Sequence, residues 1–301
     1  MHVKQSADSG SGGASPVLAW SAWQYVQFED ERTRPVRDLL AALPAIDARS
    51  VIDIGCGPGN STELLAARFA GAAVSAIDSS ADMIAAARRR LPQLQFDLLD
   101  IERWTYAGTA IEAAGATPGA ATGGAVIGDA ATRSAARYDV ILANAVLHWV
   151  PDHARLFPAL AAKLAPGGAL AVQMPDNLDE PAHRLMREIA ADGPWAAKLA
   201  GAAAVRPSLP TAERYHEILS GAGCRADLWR TTYYHALSRG AEAVVEWFMG
   251  SGLRPFIAPL SEGERAEFLE RYRSAVARAY QPTPDGGVLL PFPRLFLIAV
   301  R

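Results

Sequence analysis

Chemistry in this chain starts at Val51-Ile52-Asp53-Ile54, which runs straight into Gly55-Cys56-Gly57-Pro58-Gly59. A strand feeding a Gly-x-Gly-x-Gly turn and then a helix is a ligand cradle. Its glycines allow the tight turn and a close backbone approach. The helix start adds unpaired N–H groups that favour a negative group. Taken alone, such a loop serves S-adenosylmethionine (SAM), a dinucleotide or nothing but the turn itself. Spacing separates the first two. The dinucleotide fingerprint is Gly-x-Gly-x-x-Gly, and Asn60 stands where its last glycine would fall. The tighter Gly55, Gly57, Gly59 spacing favours SAM, with its methionine carboxylate at the helix start and Asp53 accepting from its ammonium.

Further candidates stand at the ends of the strands that follow. Asp78 can accept both ribose hydroxyls; its bland alternative is a cap on the helix from Ala81. Asp100 can accept from an adenine amino group with Ile101 against the ring, or be a solvated loop acid. Asn144 can bond the cofactor, and Trp149 can wall a methyl-transfer pocket or simply pack. His148 is a candidate general base, although a histidine there is more often a core or helix-start residue.

The elements that must position these residues follow from periodicity. Ser50–Ile54, Ala73–Ile77, Leu94–Leu99, Tyr138–Leu142 and Ala169–Gln173 read as buried strands. Helical spacing fills Arg32–Leu43, Ser61–Ala70, Ala81–Leu91 and Asp152–Leu164. Alternating strands and helices imply a doubly wound, mostly parallel α/β sheet of Rossmann-like form. The last third differs. Pro181–Ala191, Thr211–Ala222, Ala241–Gly250 and Ser261–Tyr280 read as helices, Asp227–His235 as an aromatic strand, and Val288–Arg301 as a terminal strand or hairpin. The helices after Pro175 are expected to form a lid over the carboxyl edge of the sheet.

The expected organisation is a disordered Gly/Ser-rich tail over 1–19 and one domain over 20–301. That domain carries a low-complexity Ala/Gly/Thr insertion at 107–136 and a substrate-covering elaboration at 176–285. The formal net charge is -3 and no run of five like charges occurs, so nucleic acid is disfavoured as a partner. The tail has no apolar core of a signal peptide. No uncharged apolar run reaches the ~20 residues that span a bilayer. The 2 cysteines, Cys56 and Cys224, form neither a disulfide framework nor a metal-ligand spacing. A cytoplasmic protein without metal or membrane partner is expected, with a monomer favoured.

Together these segments resemble class I SAM-dependent methyltransferases, and within them the bacterial branch that esterifies the tricarboxylate trans-aconitate. The resemblance covers roughly 20–301. It is carried by Phe28-Glu29-Asp30-Glu31-Arg32-Thr33-Arg34-Pro35, by the glycine loop through Thr62, by Ile77-Asp78-Ser79-Ser80, and by Leu147-His148-Trp149-Val150-Pro151-Asp152-His153. Ala171-Val172-Gln173-Met174-Pro175-Asp176-Asn177 and Pro291-Phe292-Pro293-Arg294-Leu295-Phe296 extend it. Two late segments are the most specific: Trp229-Arg230-Thr231-Thr232-Tyr233-Tyr234-His235 and Gly252-Leu253-Arg254-Pro255.

The resemblance implies methyl transfer from SAM to one carboxylate of a small tricarboxylate, and it adds Tyr25, Ser79 and Met83 to the cofactor residues. Such an acid is ionised at neutral pH, so no general base is required. Arginine suits the spectator carboxylates. The candidates are Arg254, Arg294, Arg230 and Arg34, with Tyr233, Tyr234 and His235 as donors beside Trp149. Rival readings are a methyltransferase of another small acid or a phenol, an NAD-dependent dehydrogenase, and a SAM-binding protein without turnover.

Overall fold

The computed structural model describes residues 29–106 and 137–301. The tail read over 1–19, Tyr25 and the insertion read over 107–136 lie outside the described residues. The chain opens with α1 (Glu29–Ala42), which presents Val36, Leu39 and Leu40 to the core. Strand β1 (Ser50–Ile54), helix α2 (Asn60–Arg68), β2 (Ala73–Asp78), α3 (Ala81–Arg90) and β3 (Gln95–Leu98) follow in strict alternation. After the short α4 (Ile101–Tyr106) come β4 (Tyr138–Asn144), a single 3-10 turn at Leu147–Trp149, α5 (His153–Ala162) and β5 (Leu164–Pro175).

Five strands are parallel, and the sheet runs β3-β2-β1-β4-β5-β7-β6. The order reverses between β1 and β4, which is where open α/β sheets bind ligands. Strand β5 is longer than its Ala169–Gln173 nucleus. Pro166-Gly167-Gly168 does not end an element but sits inside the strand, where the pairing register with β4 shifts between Tyr138 and Val140.

Period-two alternation divides the sheet between two faces. Val140, Ala169, Ala171, Phe296 and Ile298 pack under α1 and α2. Ile52, Ile141, Leu170, Val172 and Leu297 pack against α4, α5 and the later α8 (Ala212–Gly221). Helix α8 starts on a Thr211 cap whose hydroxyl accepts from Arg214 N.

The rest of the chain builds a second apolar cluster. Helices α6 (Pro181–Ala191), α7 (Ala196–Leu199), α9 (Gly240–Met249), α10 (Arg254–Ile257) and α11 (Glu262–Ala279) bury Met186, Trp195, Val244, Trp247, Phe268 and Tyr272 together. A reciprocal Ser261–Glu264 capping box starts α11. Strands β6 (Arg225–Leu237) and β7 (Val288–Val300) join this cluster to the sheet. Strand β7 pairs antiparallel with β5 only from Arg294 onward, whereas its pairing with β6 continues back to Val288. The two strands therefore project beyond the carboxyl end of β5. Leu237, Leu290 and Phe292 of that projection are the floor on which the helices pack. The C-terminal run is one strand, not a hairpin, because its partners β5 and β6 both come from earlier in the chain.

Candidate active site

The glycine loop takes the conformation its residue types demand. Gly55, Gly57 and Gly59 all have positive φ, at 73°, 55° and 95°. A Cβ on Gly55 would lie 2.4 Å from Val146 Cγ2, while one on Gly57 would meet nothing within 4 Å. The first glycine is thus required by packing and the second leaves open space over the backbone. Gly55 N and Cys56 N both donate to Ile77 O, and Gly57 N donates to Asp78 Oδ2 at 2.9 Å. The loop is stitched to the end of β2.

Asp53 is wholly buried. Its Oδ2 accepts from the hydroxyls of Ser61 and Thr62, both at 2.7 Å, and its Oδ1 has no protein partner. Burial pushes its carboxyl up to about 6, against the lowering pull of the two hydroxyls. A small cavity beside it is lined by Thr33, Val36, Gly55, Cys56, Asn60, Ser61 and Asn144. Asn60 Oδ1 is likewise buried without a partner. Two orphaned acceptors, one on β1 and one at the start of α2, match an ammonium, and the N–H groups of that helix end match a carboxylate. The cavity therefore fits the zwitterionic methionine end of SAM.

The other cofactor candidates sit along the same edge. Asp78 is half-buried, accepts also from Ser80 N at 2.8 Å, and has its carboxyl raised by burial. Ser80, not Asp78, caps α3 by accepting from Met83 N. Ser79 is exposed and Met83 buried. Asp100 is exposed and accepts from Glu102 N and Arg103 N, so it starts α4. Ile101 is buried in the core cluster under α4 and α5.

A second cleft begins one residue beyond Asn144. Ala145, His148 and Trp149 after β4, Pro175 at the end of β5, and Phe292 and Arg294 of β7 form its sheet side. His183 of α6, Arg206, and Trp247, Phe248, Ser251 and Gly252 at the end of α9 close it from the helical side. Arg294 is 3% exposed and donates from Nη1 to Gln173 Oε1 at 2.9 Å. Arg206 is 9% exposed, donates to Pro175 O at 2.7 Å, and contacts His183 Nε2 at 3.3 Å. Burial lowers the Arg206 guanidinium to about 10, which still leaves it charged at neutral pH.

Among the described residues that line the cleft, none is acidic. The carboxylate that acts on Arg206 from outside, Asp176, is bridged to Arg230 at 2.6 Å. Burial and the two guanidiniums hold His148 well below its ordinary value, and burial with Arg206 does the same to His183. Both imidazoles are neutral at pH 7. Two buried guanidiniums beside aromatic rings suit an anionic ligand.

The predicted substrate residues divide accordingly. Arg294 and Trp149 line the cleft. His235 stacks on Trp247 at 4.6 Å between ring centroids, one layer behind the wall. Tyr233 faces α1 instead: its hydroxyl donates to Asp38 at 2.6 Å, and Arg34 lies over its ring at 5.4 Å. Tyr234 corrects the expectation outright, being 67% exposed. Successive strand residues point to opposite faces, so Tyr233 and His235 cannot share a side with Tyr234. Arg230 falls on that exposed side as the counter-ion of Asp176. Arg254 is half-buried at the start of α10 and is not among the lining residues. Arg206 and His183 are the residues that sequence reasoning missed. Arg206 follows an Ala-rich stretch with no periodic signal, whereas His183 and Arg187 lie at i,i+4 spacing on α6.

Comparison with known proteins places this architecture. Residues 28–227 match the model of the methyltransferase domain, so the fold and its cradle are those of the SAM-dependent methyltransferase class. The YcgJ protein of Bacillus subtilis has the same fold, with a TM-score of 0.51 and 11% identity over 89% of this chain and 98% of that one. Two curated relatives are much nearer in sequence. The trans-aconitate 2-methyltransferase of Methylobacterium nodulans is 50% identical, covering 94% of this chain and 98% of its own length. That of Afipia carboxidovorans is 48% identical, covering 94% and 99%. The chain belongs to the trans-aconitate 2-methyltransferase family. Among the described residues no helix is long and apolar enough to cross a membrane.

Proposed function

We propose that this chain transfers the methyl group of SAM to a carboxylate of trans-aconitate, giving the monomethyl ester and S-adenosylhomocysteine. The observation that carries the reading is the cleft holding buried Arg206 and Arg294, with no acid among its described lining residues, beside the small cavity at the glycine loop. When bound, SAM supplies an electrophilic methyl group on a cationic sulfur. Asp53 and Asn60 hold its ammonium, and the start of α2 holds its carboxylate. Asp78 takes the ribose hydroxyls, with Asp100 and Ile101 toward the adenine.

On the acid side, Arg206 and Arg294 hold the spectator carboxylates through charge-assisted hydrogen bonds. Trp149, Trp247, Phe248 and Phe292 exclude water, which strengthens those bonds. The reacting carboxylate is ionised without help. Neutral His148 and His183 add no charge to the wall and take no proton, so the charged side chains among its described residues are the two guanidiniums. Alignment of the two ligands supplies the rate, an effect worth up to roughly 7–11 kcal/mol. The region over 176–285 covers the acid, and the domain over 20–301 acts as one unit.

Incubation with methyl-labelled SAM and trans-aconitate tests the reading. Label in an acid-extractable, base-labile product supports it. SAM binding without such label, against a no-acceptor control, overturns it.

A further inference from the structure

The two cavities are joined by one side chain that neither of them includes. Gln173 lies on β5, is 0% exposed, and is the cross-strand partner of Asn144 on β4. Its Oε1 accepts from Arg294 Nη1 at 2.9 Å and its Nε2 donates to Asn144 Oδ1 at 2.6 Å. The orientation of every amide in this row is dictated by chemistry. A guanidinium only donates, so the Gln173 oxygen must face Arg294. Its nitrogen must then face Asn144, whose oxygen turns toward Gln173 to accept. With that oxygen turned to Gln173, the N–H2 of Asn144 is the donor it offers the cofactor-side cavity, at the place where the α2 start also favours an anion.

We propose that Gln173 is a positioning residue that links the acid-binding guanidinium of Arg294 to the cofactor-facing amide of Asn144, so that each ligand's binding raises the affinity for the other. This rests on the assignment of the acid to the cleft. Fixing Arg294 on a carboxylate orders Gln173, and ordering Gln173 aims the Asn144 donor at the methionine carboxylate. Reciprocity follows from thermodynamic linkage.

The relay makes an unusual prediction for two variants. Gln173→Glu can still accept from Arg294 but cannot donate to Asn144. Asn144 must then turn its amide and present oxygen to an anion. Asn144→Asp presents oxygen there directly. Both variants are expected to weaken S-adenosylhomocysteine binding, read by titration calorimetry, by about tenfold or more. Gln173→Met, which keeps the volume and loses both bonds, is expected to weaken it less than Gln173→Glu.

In the wild type, saturating S-adenosylhomocysteine is expected to tighten trans-aconitate binding by about fivefold or more. In Gln173→Met that ratio falls to within about twofold of unity while the melting profile stays cooperative. A Gln173→Glu protein that binds S-adenosylhomocysteine as the wild type does would overturn the relay. So would a coupling ratio retained in Gln173→Met. Failure of the wild type to methylate or bind trans-aconitate sinks the substrate assignment instead, and the S-adenosylhomocysteine measurements on Gln173→Glu and Asn144→Asp still decide the relay.

Discussion

The two cavities at the carboxyl edge of one sheet are electrostatic opposites. On the cofactor side, buried Asp53 and half-buried Asp78 both have carboxyls raised by burial, with one Asp53 oxygen left unpartnered. On the cleft side, two guanidiniums are buried with no acid among the described residues of the wall. A cation is wanted on one side and an anion on the other. The protein thus holds two oppositely charged ligands against each other while each sees a complementary wall. The difference also has an origin in the chain. The cofactor cavity is built around the β1 loop from α1, the start of α2 and the end of β4, whereas the cleft is assembled from the residues after β4 and from β5, α6, α9, β7 and the segment at Arg206.

Removing a cation from the cleft should have the largest effect. Arg206→Leu leaves a spectator carboxylate without its charged partner, a loss of about 2–5 kcal/mol. The kcat/KM for trans-aconitate is expected to fall roughly 10²–10³-fold, with S-adenosylhomocysteine affinity unchanged. Equal losses on both ligands would mean the two sides are not separable and would break the comparison.

Asp53→Asn tests the opposite wall. Removal of the carboxylate should weaken SAM binding by about 10–100-fold, the scale of a lost charge-assisted hydrogen bond, with the Kd for the acid unaffected. The pH dependence follows from the direction of the shift. An acid raised from 3.8 to about 6 in the folded state costs stability as it ionises. The penalty is absent below about 4, grows as pH rises through about 6, and is complete above that. Ligand-free wild type should therefore lose on the order of 1–3 kcal/mol over this window, and Asp53→Asn should not. An ammonium beside the carboxylate relieves the penalty, so SAM affinity should fall as pH drops below about 6. A flat affinity profile between pH 5 and 7 would remove Asp53 from the ammonium site.

Gly57→Ala sharpens the cofactor side further. The positive φ of 55° costs a β-carbon about 1–2 kcal/mol, and nothing within 4 Å resists it. The fold should tolerate the change with a small drop in Tm. The added methyl stands in the space a ligand needs to reach the backbone, so SAM affinity should drop about tenfold or less. Unchanged affinity would show that the cofactor stays clear of this peptide.

What was readable in the sequence follows the same divide. The glycine spacing announced a tight turn with close backbone approach, and all three glycines take positive φ. Strand-end acids could be placed because the βα rhythm fixes one edge of the sheet. The cleft had no comparable signal. Arg206 is held by the carbonyl of Pro175, a contact 31 residues away that no local pattern encodes. Pro166-Gly167-Gly168 carries local turn chemistry, whereas the pairing that runs β5 through it over Leu164–Pro175 is long-range. The run Tyr233-Tyr234-His235 was grouped as one set of donors although strand alternation separates its middle member.

The smallest expected effect is the sharpest test of that last point. Tyr233→Phe deletes a hydroxyl that donates to Asp38 of α1 at 2.6 Å, on a residue that does not itself line the cleft. Asp38 is exposed and water replaces the lost donor, so the fold should lose only about 0.5–1.5 kcal/mol. Catalysis should stay within about twofold of the wild type, the limit that a stability change of this size leaves on folded enzyme. Tyr234→Ala, on the exposed face, should change neither quantity. A loss of more than tenfold in kcat/KM for the acid in Tyr233→Phe, with Tm unchanged, would place that hydroxyl on the substrate. It would then follow that α1, and not the helices after Pro175 alone, forms part of the acid-binding wall.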